Sequence, residues 1–349
     1  MQKRLNKRQE LLLIYIQSRE ITATREAFAY LQTVFPEISR PTVSRDLEFL
    51  STYGHIERFG KGRSVYYRAI SQVSYRDPSV RAEYFRQRSE ERSIQRTFSF
   101  EVFQKLAFIL TPEEKTYCAA LNDKYQAKRG LLPADIIRRE TERLVIDFSW
   151  KSSQIEGNTY SLLETEELLK NKREASGHTH EEAVMILNHK KTLDYIAEAP
   201  RNFQLLTLQK IEDIHSLLVH DLGIESGLRK HLVRISGTEY QPLDNAFQIR
   251  EALEQTNTLI NNTENFFEKA ILALLLIAYI QPFSDGNKRT SRLVSNAILT
   301  AYDACPLSYR SMDELEYKKA VLLFYEQQDI AYFKQLFIEQ FEFVVENYF

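Results

Sequence analysis

A short polar stretch in the last third of the chain combines the residue types that bind phosphate. Residues 281–292 read Gln-Pro-Phe-Ser-Asp-Gly-Asn-Lys-Arg-Thr-Ser-Arg. The two arginine guanidinium groups match the geometry of phosphate oxygens, and Lys288 adds positive charge. Asp285 supplies a carboxylate for a hard cation such as Mg²⁺, which usually accompanies bound phosphates. The stretch therefore predicts a phosphate site, and the alternative is a loop followed by the solvated basic start of a helix.

The flanking residues predict a helix, a tight loop and a second helix. The apolar run 270–280 is too short to span a bilayer and favours a buried core helix. Gly286 and Asn287 indicate a sharp turn. After the turn, apolar residues recur at helical spacing (Leu293, Ala297 and Ile298). The second helix would direct its free backbone N–H groups at a ligand on the loop.

The stretch resembles the signature of the Fic/Doc family, H-x-F-x-(D/E)-G-N-(G/K)-R-x-x-R. Every anchor matches except the first, because Gln281 stands where the family has its catalytic histidine. The resemblance implies that Phe283 anchors the loop and that Asp285 binds Mg²⁺. It also implies a nucleotide-phosphate site, formed by Gly286, Asn287, Lys288, Arg289 and Arg292. Fic proteins mostly transfer AMP from ATP to a hydroxyl of a target protein, whereas Doc phosphorylates its target.

Gln281 decides between two classes of function. An amide does not titrate near neutral pH and cannot act as the general base, whose loss typically costs about 10²–10⁴ in rate. We therefore favour a nucleotide-binding regulatory protein with impaired AMP transfer. The alternative is an active protein adenylyltransferase or phosphoryl transferase that modifies hydroxyls of a target protein or of itself. A third option is a core that binds no nucleotide.

Two further segments extend the resemblance over roughly residues 100–349. Ser152-Ser153-Gln154-Ile155-Glu156-Gly157-Asn158 resembles the family's inhibitory motif, (S/T)-x-x-x-E-(G/N), and ends a predicted helix at about 133–158. In the family this Glu pairs with the last Arg of the signature and blocks a productive γ-phosphate position. The resemblance thus implies that Glu156 pairs with Arg292 and that Ser152 belongs to the inhibitory element. The alternative is a surface Glu at a helix end.

Residues 227–242 are similar to the family's flap, a β-hairpin over the active site. The flap residues that would dock a target peptide by strand addition are Val233, Arg234, Ile235, Ser236 and Gly237. Their alternation fits a short strand, and an unpaired strand edge can accept a peptide. The alternative is an ordinary surface hairpin.

The first 70 residues resemble a DeoR-like winged helix-turn-helix domain. Residues 41–50 resemble its recognition helix, and residues 59–64 read as a basic wing with two glycines. The candidate DNA-binding residues are Arg40, Thr42, Ser44, Arg45, Lys61 and Arg63. The segment 1–70 holds 12 Lys and Arg against 7 Asp and Glu, a net charge of +5, while the other 279 residues hold 34 against 41. This asymmetry favours DNA as a partner, and the alternative is a protein-contact module.

Length and composition set the outer bounds. The 349 residues predict a mainly α protein with a winged helix at 1–70, a solvated, partly helical connector at 71–100 and a helical Fic domain with one β-hairpin at 101–349. The expected cofactors are ATP and Mg²⁺. Two cysteines without metal or redox spacing, and no signal or membrane segment, predict a cytoplasmic protein without a membrane partner. The oligomeric state stays open, with a homodimer as one option.

Overall fold

Helices account for most of the chain, which confirms the predicted mainly α class. The computed structural model describes residues 5–17, 19, 21–53, 55–61, 64–69, 75–106 and 109–349. In chain order its elements are α1 (Lys7–Gln17), β1 (Thr22–Ala23), α2 (Thr24–Val34), α3 (Arg40–Thr52), β2 (Ile56–Lys61), β3 (Ser64–Ala69), α4 (Pro78–Arg86), α5 (Val102–Lys105), α6 (Pro112–Leu131), α7 (Ala134–Gln154), α8 (Leu162–Asn171), α9 (His180–Glu198), a 3₁₀ helix (Pro200–Gln204), α10 (Leu208–Leu218), α11 (Ala246–Asn262), α12 (Phe266–Ile280), α13 (Asn287–Ala301), α14 (Glu314–Gln327) and α15 (Ala331–Asn347).

The chain divides into two compact units. The first contains Met1–Arg81 and Glu101–Thr116, and its N-terminal part combines α1–α3 with a three-stranded antiparallel sheet in the order β1-β3-β2. Its core is apolar (Leu12, Ile16, Leu31, Val43, Leu47, Leu50 and Ile56). Helix α3 buries Val43, Leu47 and Leu50 at helical spacing, so its opposite face is exposed.

The second unit, Ala82–Phe100 and Tyr117–Phe349, is built around α12. All residues from Phe267 to Ile280 are buried, as the apolar run predicts. Helices α11 and α13 pack against α12. A polar loop joins α12 to α13, so the most buried helix of the unit fixes the position of the candidate site. Residues 140–349, all of which the structure describes, contain no β-strand.

The described part of the predicted connector, residues 75–100, is partly helical and mostly exposed, but it buries Arg81 and Arg92. Residues 78–86 form α4, and residues 82–100 group with the second unit, while residues 101–116 group with the first. Arg92, which the sequence assigns to a solvated segment, has only 4% of its side chain exposed and pairs with Glu326 at 3.1 Å. Arg81 is also buried, and it donates to the carbonyls of Tyr75 and Arg76.

The structure does not form the β-hairpin predicted at residues 227–242. Residues 229–240 run without regular strands and turn at Ser236–Gly237. Gln241 donates its N–H to the Arg96 carbonyl at 2.8 Å and accepts from the Phe98 N–H at 3.2 Å. The backbone at Gln241 therefore pairs with residues 96–98 rather than with the other half of the predicted hairpin. We keep the name flap for residues 229–243.

None of the helices in the described ranges combines the length and apolar character needed to cross a bilayer. Cys118 and Cys305 are both buried.

Candidate functional site

The loop between α12 and α13 is held by its own side chains. Helix α12 ends at Gln281, which has the left-handed φ of 51°. Asn287 accepts from the Phe283 N–H and donates to the Phe283 carbonyl, both at 2.8 Å. Gly286 begins α13 at φ 79°, where a Cβ atom would also lie 3.3 Å from Val219 Cγ1. The Gly-Asn turn thus has both a conformational and a packing cause.

Below the loop, Phe283 is fully buried and stacks on His215, with ring centroids 3.7 Å apart and planes at 5°. His215 Nε2 lies 3.0 Å from the Asp285 carbonyl and donates to it. Burial lowers the pKa of His215 to about 4, so the ring is neutral near pH 7. His215 therefore supports the loop from beneath.

The N-terminus of α13 offers unused donors. Within the described chain, the backbone N–H groups of Asn287, Lys288 and Arg289 have no hydrogen-bond acceptor. Arg289 is 3% exposed, and its Nη1 is buried without a partner, while Nη2 contacts Asp285 at 3.2 Å. Free helix N–H groups and an unsatisfied guanidinium nitrogen form an arrangement that suits an anion.

Asp285 fits a metal ion that arrives with phosphate. Its side chain is 68% exposed, and its oxygens accept from the Gly286 N–H and from Arg289. No cluster of three His, Cys, Asp or Glu side chains able to hold a metal occurs in the described ranges. A single exposed carboxylate beside an anion site matches Mg²⁺, which keeps several waters and takes other ligands from phosphates.

Glu156, just beyond the end of α7, reaches the start of α13. Its Oε1 accepts from Arg292 Nη1 at 2.9 Å, and its Oε2 accepts from Lys288 Nζ at 3.0 Å. Arg292 is fully buried, and Glu156 is 17% exposed. Burial alone would raise the pKa of Glu156, but the Arg292 and Lys288 cations lower it to about 2. The structure thus brings the two ends of the predicted inhibitory contact together and adds Lys288 to it.

Ser152, one turn earlier on α7, accepts hydrogen bonds from the other two guanidinium nitrogens of Arg292. Its Oγ accepts from Arg292 Nε at 3.0 Å, and its carbonyl accepts from Arg292 Nη2 at 2.8 Å. The same Oγ lies 3.0 Å from His189 Nε2. His189 Nδ1 lies 2.8 Å from the Met185 carbonyl. Burial lowers the pKa of His189 to about 3, so the ring is neutral near pH 7.

Gln281 is turned toward the end of its own helix. It is 7% exposed, and its Nε2 donates to the Ala278 carbonyl at 2.6 Å and lies 3.4 Å from the Tyr325 hydroxyl. Its amide therefore acts as a cap on α12. Burial raises the pKa of Tyr325 well above its usual value, so this neighbour is not a base near pH 7.

The flap is fastened to the loop by one arginine. Arg229 is 3% exposed and donates through Nε to the Gln281 carbonyl at 2.6 Å and through Nη1 to the His231 carbonyl at 2.7 Å. Its Nη2 donates to the Leu243 carbonyl. Along the flap, burial alternates between partly buried and exposed residues: Val233 and Ile235 are partly buried, and Arg234, Ser236 and Gly237 are exposed. Residues 232–236, all described, make no backbone–backbone hydrogen bond, so their polar groups are open.

The candidate DNA-binding residues lie on α3 as far as the structure describes them. Arg40, Ser44 and Arg45 are exposed, while Thr42 is partly buried and lies 2.9 Å from Ser39 Oγ. The Lys61 side chain and Arg63 lie outside the described residues.

Sequence reasoning did not single out His189, Arg229 or the role of Lys288 in the Glu156 contact. Arg229 is part of the Gly227-Leu228-Arg229 run, which offered a signal. A histidine one residue after Asn188 on a long helix offers none, because its Ser152 partner is distant in the sequence.

Comparisons with known proteins match parts of this chain. The family model described as Fic/DOC family matches residues 205–299. The protein named protein adenylyltransferase Fic in Drosophila mojavensis is 28% identical over 200 residues, which are 56% of this chain and 40% of that protein. Its namesake in Aedes aegypti is 31% identical over 170 residues, 47% of this chain and 34% of that protein. The chain thus spans less than half the length of these curated relatives.

Two solved structures share the fold at low identity. Fic-1 (residues 134–508) from C. elegans is 18% identical with a TM-score of 0.60, covering 71% of this chain and 80% of that one. A Fic domain-containing signaling protein from Bacteroides thetaiotaomicron is 18% identical with a TM-score of 0.57, covering 66% and 94%. Likeness at this identity shows the fold alone. The family-model match, by contrast, shows a Fic/DOC domain at residues 205–299.

Proposed function

We propose that this protein binds ATP with Mg²⁺ at the loop before α13 and serves as a regulator whose AMP transfer is impaired. The observation that carries the proposal is the cluster of unused donors at residues 287–289 beside the unsatisfied Nη1 of Arg289. An anion with several oxygens would satisfy them together. Asp285 would hold the metal, which would bridge phosphate oxygens and neutralise their charge.

Two contacts support the impairment. Gln281 has no titratable group, and its amide caps α12. Glu156 forms ion pairs with both Arg292 and Lys288, so both cations are engaged by a carboxylate while Glu156 remains in place. Nucleotide would have to displace this carboxylate or bind without those cations.

The second candidate is an active adenylyltransferase, and the relatives named protein adenylyltransferase Fic favour it. In either case, the open backbone of residues 232–236 would bind a target segment by strand addition. The two candidates differ only in whether another group removes the proton from the target hydroxyl.

Calorimetry with ATP, with and without Mg²⁺, tests binding. We expect Mg²⁺-dependent binding by the native chain, tighter binding by Glu156→Gly and loss of binding by Arg289→Gln. Glu140→Gln, a surface change on the same helix, is the matched control and should bind as the native chain does. Absence of binding by both the native chain and Glu156→Gly would refute the proposal.

Labelled ATP in a cell lysate separates the two candidates. A regulator predicts strong protein labelling only for Glu156→Gly combined with Gln281→His. Strong labelling by the native chain, or by Glu156→Gly alone, would instead establish the transferase.

We also propose that residues 1–70 form a winged helix that binds DNA through α3 and the wing. The helix and strand order, the exposed Arg40 and Arg45 and the net charge of +5 in residues 1–70 support this. Changing Arg45 and Arg63 to Ala should weaken binding to a genomic fragment pool, and added salt should weaken it steeply. If the native chain does not bind the pool at low salt, the unit is a protein-contact module.

A further inference from the structure

We propose that His189 is a positioning residue that acts through Ser152 to hold Arg292 in the orientation needed to meet a terminal phosphate. The proposal rests on the nucleotide binding proposed above. It assigns Ser152 and His189 to the phosphate site itself, whereas Glu156 alone forms the inhibitory contact.

The directions of the hydrogen bonds follow from the partners. A backbone carbonyl only accepts, so His189 Nδ1, 2.8 Å from the Met185 carbonyl, carries the ring proton. In the neutral ring, Nε2 then has only a lone pair and accepts from the Ser152 hydroxyl at 3.0 Å. Because that hydroxyl hydrogen is committed to His189, the lone pairs of Ser152 Oγ face Arg292 Nε, 3.0 Å away.

Two residues accept hydrogen bonds from Arg292, and the Tyr317 ring lies beside its guanidinium, with the ring centroid 5.5 Å from Cζ. Nε and Nη2 bind Ser152, and Nη1 binds Glu156. Removal of the Glu156 carboxylate vacates Nη1 but leaves both contacts with Ser152. A fully buried guanidinium held by two fixed acceptors keeps its plane, so the vacated Nη1 stays directed at the position that Glu156 occupied.

Without the imidazole, the contact between the Ser152 hydroxyl and Arg292 Nε is no longer fixed, and only the Ser152 carbonyl still holds the guanidinium through Nη2. The Ser152 hydroxyl would have no acceptor and would rotate, and Arg292 would have to be ordered when the nucleotide binds. Holding a binding group in its final orientation saves that cost, so its loss should appear as weaker binding of a ligand that reaches Nη1.

The test uses Glu156→Gly as the parent and measures ATP and ADP affinity by calorimetry with Mg²⁺. His189→Phe in that parent should weaken ATP binding about fivefold to thirtyfold and ADP binding less than about twofold, because ADP lacks the terminal phosphate. His189→Gln should restore most of the ATP affinity, since its amide oxygen can replace Nε2 as an acceptor. Ser152→Ala should reproduce the Phe effect, and the two changes together should add little to either alone.

The outcomes separate the two proposals. The positioning role would be refuted by equal losses of ATP and ADP affinity, by no rescue in His189→Gln, or by additive effects of His189→Phe and Ser152→Ala. Nucleotide binding would stand in each of these cases. If the Glu156→Gly parent binds no ATP at all, the proposed function is refuted and this inference falls with it.

Discussion

Replacing Glu156 by Gln should destabilise the second unit by an amount that depends on pH. The folded chain holds the Glu156 carboxylate against Arg292 and Lys288 at 2.9 and 3.0 Å. Gln keeps the shape but removes the charge, which leaves the fully buried Arg292 without its counter-ion. Removing one partner of a buried pair is costly because the remaining charge stays desolvated.

The pKa of Glu156 sets the expected magnitude. Its pKa falls from 4.5 to about 2 on folding. Because one pKa unit corresponds to about 1.36 kcal/mol, this shift contributes about 3 kcal/mol to the free energy of unfolding. Because the folded pKa is the lower one, this stabilisation is complete above about pH 4.5 and is lost as pH falls toward 2. The difference in unfolding free energy between the native chain and Glu156→Gln should therefore be about 3 kcal/mol at pH 7 and below about half of that at pH 3.

Urea unfolding at several pH values, followed by fluorescence, measures this difference. The single tryptophan, Trp150, lies on α7 near Glu156 and donates to the Tyr160 carbonyl at 3.0 Å, so it reports on this region. Glu140→Gln is the matched control on the same helix, and loss of its surface pair with Arg143 should cost less than about 0.5 kcal/mol. A Glu156→Gln effect no larger than the control, or one as large at pH 3 as at pH 7, would refute the buried-pair reasoning.

Three further changes test other parts of the structure. Gly286→Ala should cost about 1–2 kcal/mol in urea unfolding, because it places a Cβ at φ 79° and 3.3 Å from Val219, and an unchanged midpoint would contradict this. Arg229→Met should speed thermolysin cleavage at residues 231–236, because it removes the hydrogen bonds to the Gln281, His231 and Leu243 carbonyls. Mass spectrometry would measure the cleavage, and an unaltered rate would show that other contacts hold the flap in place. Asp46→Asn should lower the free energy of unfolding of the first unit, measured by calorimetry, by about 1–3 kcal/mol, because buried Asp46 accepts hydrogen bonds from Arg8 and Gln9. An unchanged unfolding transition would show that this network is not stabilising.

Local sequence patterns were sufficient for the elements of the site. The apolar run 270–280 predicted the buried helix, and Gly286 with Asn287 predicted the turn, because both signals depend only on neighbouring residues. The structure confirms the mainly α class, and the family model matches a Fic/DOC domain at residues 205–299. The roles in DNA binding and autoinhibition stay predictions.

The flap shows where local patterns fail. Alternation in residues 232–237 predicted a short strand; burial alternates there, but the residues form no strand, because alternation does not identify a pairing partner. Gln241 pairs with residues 96–98, which are far away in the sequence, and this pairing replaces the expected hairpin.

By itself, the sequence determined which residue types surround the loop between α12 and α13, and the resemblance to the inhibitory motif implied that Glu156 pairs with Arg292. Only the tertiary structure decided how Arg292 is shared among Glu156, Ser152 and the His189 that orients Ser152. It also decided that Arg229 joins the flap to the loop. The physical reason is that hydrogen-bond direction and burial depend on packing between α7, α9 and α13, which lie far apart along the chain, whereas turns and helices arise from the preferences of adjacent residues.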